Sequence, residues 1–471
     1  MNEPVGVSDL FATLAGIVGP ANLFTDAQDF ASALVEPRGL FTGHARALVR
    51  PANTGQVAAV VAACAAVNIP IVPQGGNTGL VGGQIPKGPE ILLSLTRLNR
   101  VREIDALADT MIVEAGVTLA DAQAAAEKAN RLFPLSLGSE GTCTIGGNLA
   151  TNAGGVAVLA YGNARELTTG VEVVLPDGRI VNALSKLRKD NTGYDLKDLF
   201  VGAEGTLGII TAAALKLFAR PKAHTTAFIG LADPSAALRL FGSAREHFGA
   251  SVVSFELIPR IALDYVLRHC ERTRDPLSAL HPWYVLVEFA TQNASGLDDA
   301  VTEWLGAAAE HGLIDDAAVA ASGEQRAAFW ALRENISDVQ KCEGGSIKHD
   351  VSVPVGAVPE FITQASEAVL KRTPGARIVA FGHLGDGNIH FNVSQPVDAD
   401  KAAFLADWDG MNDVVHDIAA RMDGSYSAEH GIGTLKRALL AAKKDPAALD
   451  VMRAIKRALD PQGIMNPGKM L

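Results

Sequence analysis

The sequence predicts an α+β protein built from two large domains and a short helical C-terminal segment. Three observations lead there. The chain has 471 residues, more than a single hydrophobic core usually serves. From about Arg50 to Phe218, short β-branched runs alternate with alanine-rich helical stretches, and nearly all the long glycine-rich loops fall in this half. After Ala219-Arg-Pro-Lys222 the texture changes. Apolar strands such as Thr226–Leu231 and Trp283–Phe289 are separated there by long helical segments at Pro234–Phe248, Gly296–His311 and Glu324–Lys341, a pattern of strands with helices over one face. The divisions read as 1–220, 221–425 and 426–471, with a helical tail from Gly431 punctuated by Asp460-Pro-Gln-Gly463 and Asn466-Pro-Gly468.

At 48% hydrophobic and 20% charged residues, the composition is that of a globular protein with material for large cores. A formal net charge of −11 argues against a nucleic-acid-binding surface, although a few local cations can still hold a small anion. The segment Met1–Leu10 is acidic and lacks the basic start, apolar run and small-residue cleavage site of a secretory signal, so no export is expected. The longest apolar run, around Val57–Val72, contains Asn68 and Pro70 and is shorter than the roughly 20 residues that span a bilayer. It reads as a buried helix leading into a short strand, not a transmembrane segment. Cys64, Cys143, Cys270 and Cys342 are scattered without metal or redox spacing, which fits reduced thiols in a cytoplasmic protein.

The sharpest local signal is Phe381-Gly-His-Leu-Gly-Asp-Gly-Asn-Ile-His-Phe-Asn-Val393, two strand-like arms around Asp386-Gly387. A two-residue type I′ turn at that pair would set His383 opposite His390. Opposed residues in an antiparallel pair have Cβ atoms roughly 4.5–5.5 Å apart on one face, close enough for two imidazoles to share an ion. Such a site usually recruits a carboxylate. Glu429, in Ser427-Ala-Glu-His-Gly-Ile-Gly433, is the best candidate, with His430 beside it aimed elsewhere as a base. Spacing alone leaves a plainer alternative open, in which the histidines cap an exposed hairpin and Glu429 is solvated. Neither His-Glu-x-x-His nor Cys-x-x-Cys is present to decide it.

Three glycine loops mark the first half. Strand Ile69–Pro73 runs into Gln74-Gly-Gly-Asn-Thr-Gly-Leu-Val-Gly-Gly83, where successive amides can face one concavity suited to pyrophosphate and Asn77 and Thr78 can add side-chain donors. Leu137–Gly155, whose one charged residue is Glu140, is otherwise small and rich in donors, and suits close approach to a flat ligand. Leu199–Thr211 leads into a strand. Any one loop alone reads as a tight turn; three in one domain point to a cofactor. A nicotinamide site is not supported, because no Gly-x-Gly-x-x-Gly joins a first strand to a helix, and the phosphate-loop pattern of nucleotide triphosphatases is absent.

The motifs Pro73-Gln-Gly-Gly-Asn-Thr-Gly79, Ile145-Gly-Gly-Asn-Leu-Ala-Thr-Asn-Ala-Gly-Gly155, Arg188-Lys-Asp-Asn-Thr-Gly-Tyr-Asp-Leu196, Gly205-Thr-Leu-Gly-Ile-Ile-Thr211, Gly382–His390, Ser427–Gly431 and Met465-Asn-Pro-Gly-Lys469 occur in this order. Together they resemble the flavin-dependent D-2-hydroxyacid dehydrogenases of the vanillyl-alcohol-oxidase fold, from about residue 40 to the C-terminus. The resemblance implies an FAD-binding domain and an α+β cap domain with an antiparallel sheet, FAD lying between them. It implies FAD contacts from Pro73, Gly75, Gly76, Asn77, Thr78, Gly79, Ser139, Gly141, Gly147, Asn148, Thr151, Glu204, Gly208, Ile210 and Asn466. Because the first glycine loop has no histidine to tether a flavin, the FAD is expected to be dissociable. A divalent metal, zinc first, is implied on His383, His390 and Glu429, with His430 as general base.

Arg333 and Ser337, at i and i+4 of a helical stretch, and Lys348, in an alternating strand Ile347–Val353, would on residue type alone be solvated. With Asn392 they match substrate-contacting positions of the resembled family. So many donors suit a dicarboxylate, and D-2-hydroxyglutarate is expected ahead of D-malate and D-lactate. D-lactate dehydrogenases and the flavin subunit of glycolate oxidase are close relatives of the same family, so a different acid, or a need for partner subunits, stays open. The electron acceptor implied is an electron-transfer flavoprotein or a quinone, and a homodimer is compatible with the resemblance. A zinc hydrolase using metal-bound water is the alternative from another class, and it leaves the glycine loops unexplained.

Overall fold

Asn53 stands where a helix must start: its side chain accepts from the Gln56 amide, and the apolar helix Thr54–Ala66 follows. This helix crosses between strands Ala47–Val49 and Ile71–Gln74, both of which pair in parallel with Ile91–Ser94. Leu23–Phe24 adds an antiparallel edge to give a four-stranded sheet. Val57, Val60, Val61 and Cys64 are buried with Val49, Ile71, Ile91 and Leu93 in one cluster, so the longest apolar run is a buried helix and a strand, as its composition suggested. A five-stranded antiparallel sheet follows, in the order Val101–Asp105, Thr110–Glu114, Ile209–Lys216, Thr168–Val174, Ile180–Ala183.

In the computed structural model, which describes residues 7–471, both sheets belong to a first unit that runs to Gly155 and includes Gly162–Ala219 and Glu429–Leu471. The second unit is Val156–Tyr161 with Arg220–Ala428. Of the C-terminal segment expected to stand apart as 426–471, the part from Glu429 onward therefore returns to the first unit. The physical reason is a free edge: Ile71–Gln74 is the last strand of its sheet, and Met465 bridges to Ile71 in parallel while the Asn466 amide donates to the Ile71 carbonyl. Residues 1–6, which carry most of the segment read as lacking a secretory signal, lie outside the described residues; helix Val7–Val18 follows them. Among the described residues, no helix is long and apolar enough to cross a membrane.

The second unit is organised by an eight-stranded sheet whose side chains alternate between two faces. On one face Phe255, Leu257, Ala380, Ile389, Phe391 and Val393 form a dense core with helices Pro234–Phe248, Leu297–Glu310, Val358–Arg372 and Trp408–Arg421. On the other, Ile258, Leu286, Val379 and Phe381 pack with helices Arg260–His269 and Gly323–Glu334. By alternation and direct pairing, this second face also carries Glu256, His383, His390 and Asn392. Helix Gly323–Glu334 is fastened to it by one stripe of side chains: Arg326 and Trp330 donate to Glu288, and Arg333 donates to Glu256.

Candidate active site

His383 ends strand Arg377–His383, and His390 lies within Asn388–Ser394. These strands pair antiparallel as the sequence suggests, but His383 faces Asn388 and His390 faces Phe381. The expected opposition of the two histidines is thus off by two residues, because the connection is Leu384–Gly387 rather than a two-residue turn. The amides of Asp386 and Gly387 both donate to the His383 carbonyl, and Asp386 Oδ1 accepts from the Asn388 amide, which closes the wider loop. Side-chain direction has a period of two, so a shift of two keeps both imidazoles on one face. Their ring centroids lie 5.5 Å apart.

A partner of His383 escaped the sequence reading. Glu256, in strand Val252–Pro259, stands directly opposite His383, with Oε1 2.7 Å from His383 Nδ1; its other oxygen, Oε2, accepts from Arg333 Nε at 2.7 Å. Burial opposes ionisation of this carboxyl, but His383 and Arg333 outweigh it and hold the group down to about 2. With Nδ1 engaged by Glu256, Nε2 is the ring nitrogen left for a metal ion, the arrangement common in metal-binding histidines. A pair of imidazoles on one face suits a borderline divalent ion such as zinc, so the residues present fit the expected metal. Asp350, also outside the expected set, pairs with His390 across the neighbouring strand and accepts from Asn388 Nδ2.

The expected substrate contacts are only partly as read. Asn335 interrupts the helical stretch between Gly323–Glu334 and Ile336–Val339, so Arg333 is buried while Ser337 is exposed, and the two do not share a continuous helical face. Arg333 is not an unpaired cation either. Glu256 takes its Nε, the guanidinium stacks 4.8 Å over the Phe381 ring, and its terminal nitrogens make no hydrogen bond to another described residue. Ser346–Ile347 and Asp350–Ser352 keep one register against Asn388–Ser394, which brings Lys348 opposite Asn392. Lys348 Nζ donates to the Ser337 carbonyl, and Asn392 Nδ2 donates to Gln340 Oε1.

In the first unit the glycine loops converge. A Cβ on Gly75 would lie 2.3 Å from Thr144 Oγ1, and one on Gly76 would lie 1.9 Å from the Thr142 carbonyl oxygen, so the first loop rests directly on the second. A Cβ on Gly205 would meet the Pro73 ring at 2.5 Å, which brings in the third. Asn466 joins them, donating from Nδ2 to the carbonyls of Gly83 and Glu204. Among the described residues, Thr144 Oγ1, Asn148 Nδ2 and Asn466 Oδ1 are buried without a partner. Orphaned donors and acceptors on converging loops are what an uncharged, polar-edged ligand such as a flavin would satisfy. Lys469 Nζ is likewise buried and unpartnered among the described residues, and burial pulls its pKa down to about 8.

Several expected FAD contacts have other duties. Asn77, at φ +55°, spends its amide donors on the Ser32 and Val35 carbonyls and accepts from Gln84, so it shapes the loop instead of adding a side-chain donor to it. Gly79 packs against the Gln84 side chain, while Thr78 is half-buried in the same loop. Ser139 and Gly141 lie on the outer part of the second loop, Gly147 and Asn148 in helix Ile145–Ala150, and Thr151 at its end. Gly208 packs on Val173, and Ile210 is buried in its strand.

Glu204 is buried, which raises its pKa, and its carboxylate accepts from the Ile432 and Gly433 amides at 2.7 Å each. It therefore anchors the loop that carries Glu429 and His430, where Gly431 has φ +80°. We expect Gly76→Ala to separate the first two loops, at a cost of about 1–3 kcal/mol typical of overpacking. Flavin per chain after desalting should fall with the melting temperature; full flavin content at an unchanged melting temperature would contradict this.

The chain matches the family described as FAD linked oxidases, C-terminal domain, over residues 220–470, and an FAD binding domain over residues 45–184. It is 36% identical over 456 residues to D-2-hydroxyglutarate dehydrogenase, mitochondrial, of Danio rerio, covering 96% of this chain and 83% of that one. To the D-2-hydroxyglutarate dehydrogenase of Xanthomonas citri pv. viticola it is 35% identical over 430 residues, covering 91% and 90%. Among solved structures, p-cresol methylhydroxylase superposes with a TM-score of 0.78 at 16% identity, over 99% of this chain and 96% of that one. The fold is of the vanillyl-alcohol-oxidase type, and the chain belongs to the FAD-linked oxidase family. It is an FAD-dependent dehydrogenase.

Proposed function

We propose that this protein oxidises a D-2-hydroxy acid to the 2-keto acid with dissociable FAD and a divalent cation, zinc first, and that D-2-hydroxyglutarate is the preferred substrate. D-malate is the shorter candidate. The observation that carries this reading is the composition of one sheet face: His383 and His390 side by side, with Arg333, Lys348 and Asn392 on or against the same face. The two D-2-hydroxyglutarate dehydrogenases quoted above support the substrate class.

His383, His390 and Glu429 would hold the cation, and the three glycine loops with Asn466 would hold FAD. When bound, the flavin supplies the hydride acceptor and the cation a Lewis acid for the substrate hydroxyl. His430 takes the hydroxyl proton, since an imidazole titrates near neutral pH and can receive it in the same step. Arg333 uses its terminal nitrogens for the distal carboxylate while Glu256 fixes its Nε, and Lys348 and Asn392 line the same face. Ser337 contributes through its carbonyl grip on Lys348. An electron-transfer flavoprotein or a quinone would serve as the electron acceptor. Scattered, unbridged cysteines suit a reducing compartment such as the cytoplasm.

The test is kcat/KM for D-2-hydroxyglutarate, D-malate and D-lactate in wild type and Arg333→Ala. We expect that order of preference in wild type. A charge-assisted hydrogen bond contributes about 1.5–3 kcal/mol, so Arg333→Ala should cost the dicarboxylates roughly 10–100-fold and D-lactate much less. A wild-type preference for D-lactate, or an equal penalty on all three acids, would replace the dicarboxylate reading with a monocarboxylate one.

A further inference from the structure

We propose that Glu256 is a positioning residue that couples the metal-binding histidine to the substrate-binding arginine, setting both through one carboxylate. The inference rests on the metal-assisted reading above and deepens it. Glu256 is 1% exposed, and each of its oxygens has a single charged or polar partner at 2.7 Å: His383 Nδ1 on Oε1, Arg333 Nε on Oε2. The strand register fixes the first contact, because Glu256 and His383 are directly opposed. The second comes from helix Gly323–Glu334, whose Arg333 is also held over the Phe381 ring of the His383 strand.

A carboxylate in this place does three things. It keeps the proton of His383 on Nδ1, so that Nε2 is the ligating nitrogen, and it fixes the plane of the ring. It occupies Arg333 Nε, so the guanidinium can offer only its terminal edge to a substrate carboxylate. It also makes the two settings interdependent, since a rotation of Glu256 that lengthens one contact disturbs the other.

The neighbouring carboxylates do not substitute for it. Glu288 is engaged by Arg326 and Trp330, Asp350 lies on the far strand, opposite His390, and Asp386 in the hairpin loop spends Oδ1 on the Asn388 amide. Removal of an outer partner of a metal-bound histidine typically weakens metal binding by about 10–100-fold.

The test compares zinc affinity, by competition with a chromophoric chelator, in purified FAD-loaded wild type, Arg333→Leu, Glu256→Gln and the double variant Glu256→Leu/Arg333→Leu. The double variant is included because an apolar pair in place of a buried ion pair generally preserves folding, whereas Glu256→Gln leaves a buried guanidinium uncompensated. Zinc affinity should be about 10–100-fold weaker in both variants that lack Glu256, and should change much less in Arg333→Leu, which keeps the carboxylate on His383. KM for D-2-hydroxyglutarate should rise in Arg333→Leu with its zinc retained, and in Glu256→Gln even at saturating zinc. A double variant that binds zinc as tightly as Arg333→Leu would overturn the role of Glu256 and leave the metal reading intact. Wild type that takes up no zinc would overturn both.

Discussion

Stripping the divalent cation with a strong chelator is expected to abolish turnover while the flavin spectrum and FAD content stay unchanged. His383 and His390 sit on a hairpin of the second unit, whereas the loops 73–79, 137–155 and 199–211 belong to the first unit and hold one another through glycine contacts and Asn466. Losing the ion would leave two imidazoles and the Glu429 carboxylate unligated, while the contacts that hold those loops, including Glu204 on the Ile432 and Gly433 amides beside Glu429, stay in place. A Lewis acid on a reacting oxygen contributes several kcal/mol, so the rate should fall by about 10³-fold or more. Adding zinc back should restore it. Full activity in metal-free enzyme would remove the metal from the mechanism, and loss of FAD together with the metal would show that the two sites are not separate requirements.

His430→Ala should lower turnover by about 10²–10⁴-fold, the range usual for a general acid–base group. FAD and zinc should remain at wild-type levels. The loop that carries His430 is fixed from beneath by Glu204, whose carboxylate holds the Ile432 and Gly433 amides, so truncating the imidazole leaves the backbone anchored. Stopped-flow measurement of flavin reduction under anaerobic conditions reads the step directly. Near-wild-type reduction in zinc-replete His430→Ala would reduce this residue to packing.

Local signals were legible where local physics decides. Helix Pro234–Phe248 is bounded by the Asp233 cap, by proline in its first turn and by Gly249 at its end, and its limits could be read directly from the residues. The strands of the histidine hairpin were equally plain, but not their register, because the Leu384–Gly387 loop is closed by amide contacts to the His383 carbonyl that no dipeptide rule anticipates. The face of both histidines was still legible, since a two-residue slip preserves it. The break at Asn335 was hidden within an otherwise helical pattern, and it separates Arg333 from Ser337.

Long-range partners were not legible. Glu256 lies 127 residues before His383, and Glu204 lies 228 before Ile432; in the sequence each is one acidic residue in an apolar or glycine-rich stretch. Their roles arise from strand pairing and loop contact. The same holds for the return of Met465 and Asn466 to the edge at Ile71, which places a segment that reads as a separate tail inside the first unit.

The most direct measurement of metal-assisted, FAD-dependent oxidation of a D-2-hydroxy dicarboxylate is anaerobic bleaching of the flavin by a panel of D- and L-2-hydroxy acids, before and after zinc removal. The account predicts that D-2-hydroxyglutarate bleaches the isolated zinc-replete chain fastest, that the L enantiomer does not, and that the zinc-free protein stays yellow with every acid. Bleaching of the zinc-free protein at an undiminished rate, or faster bleaching by D-lactate than by D-2-hydroxyglutarate, would contradict it.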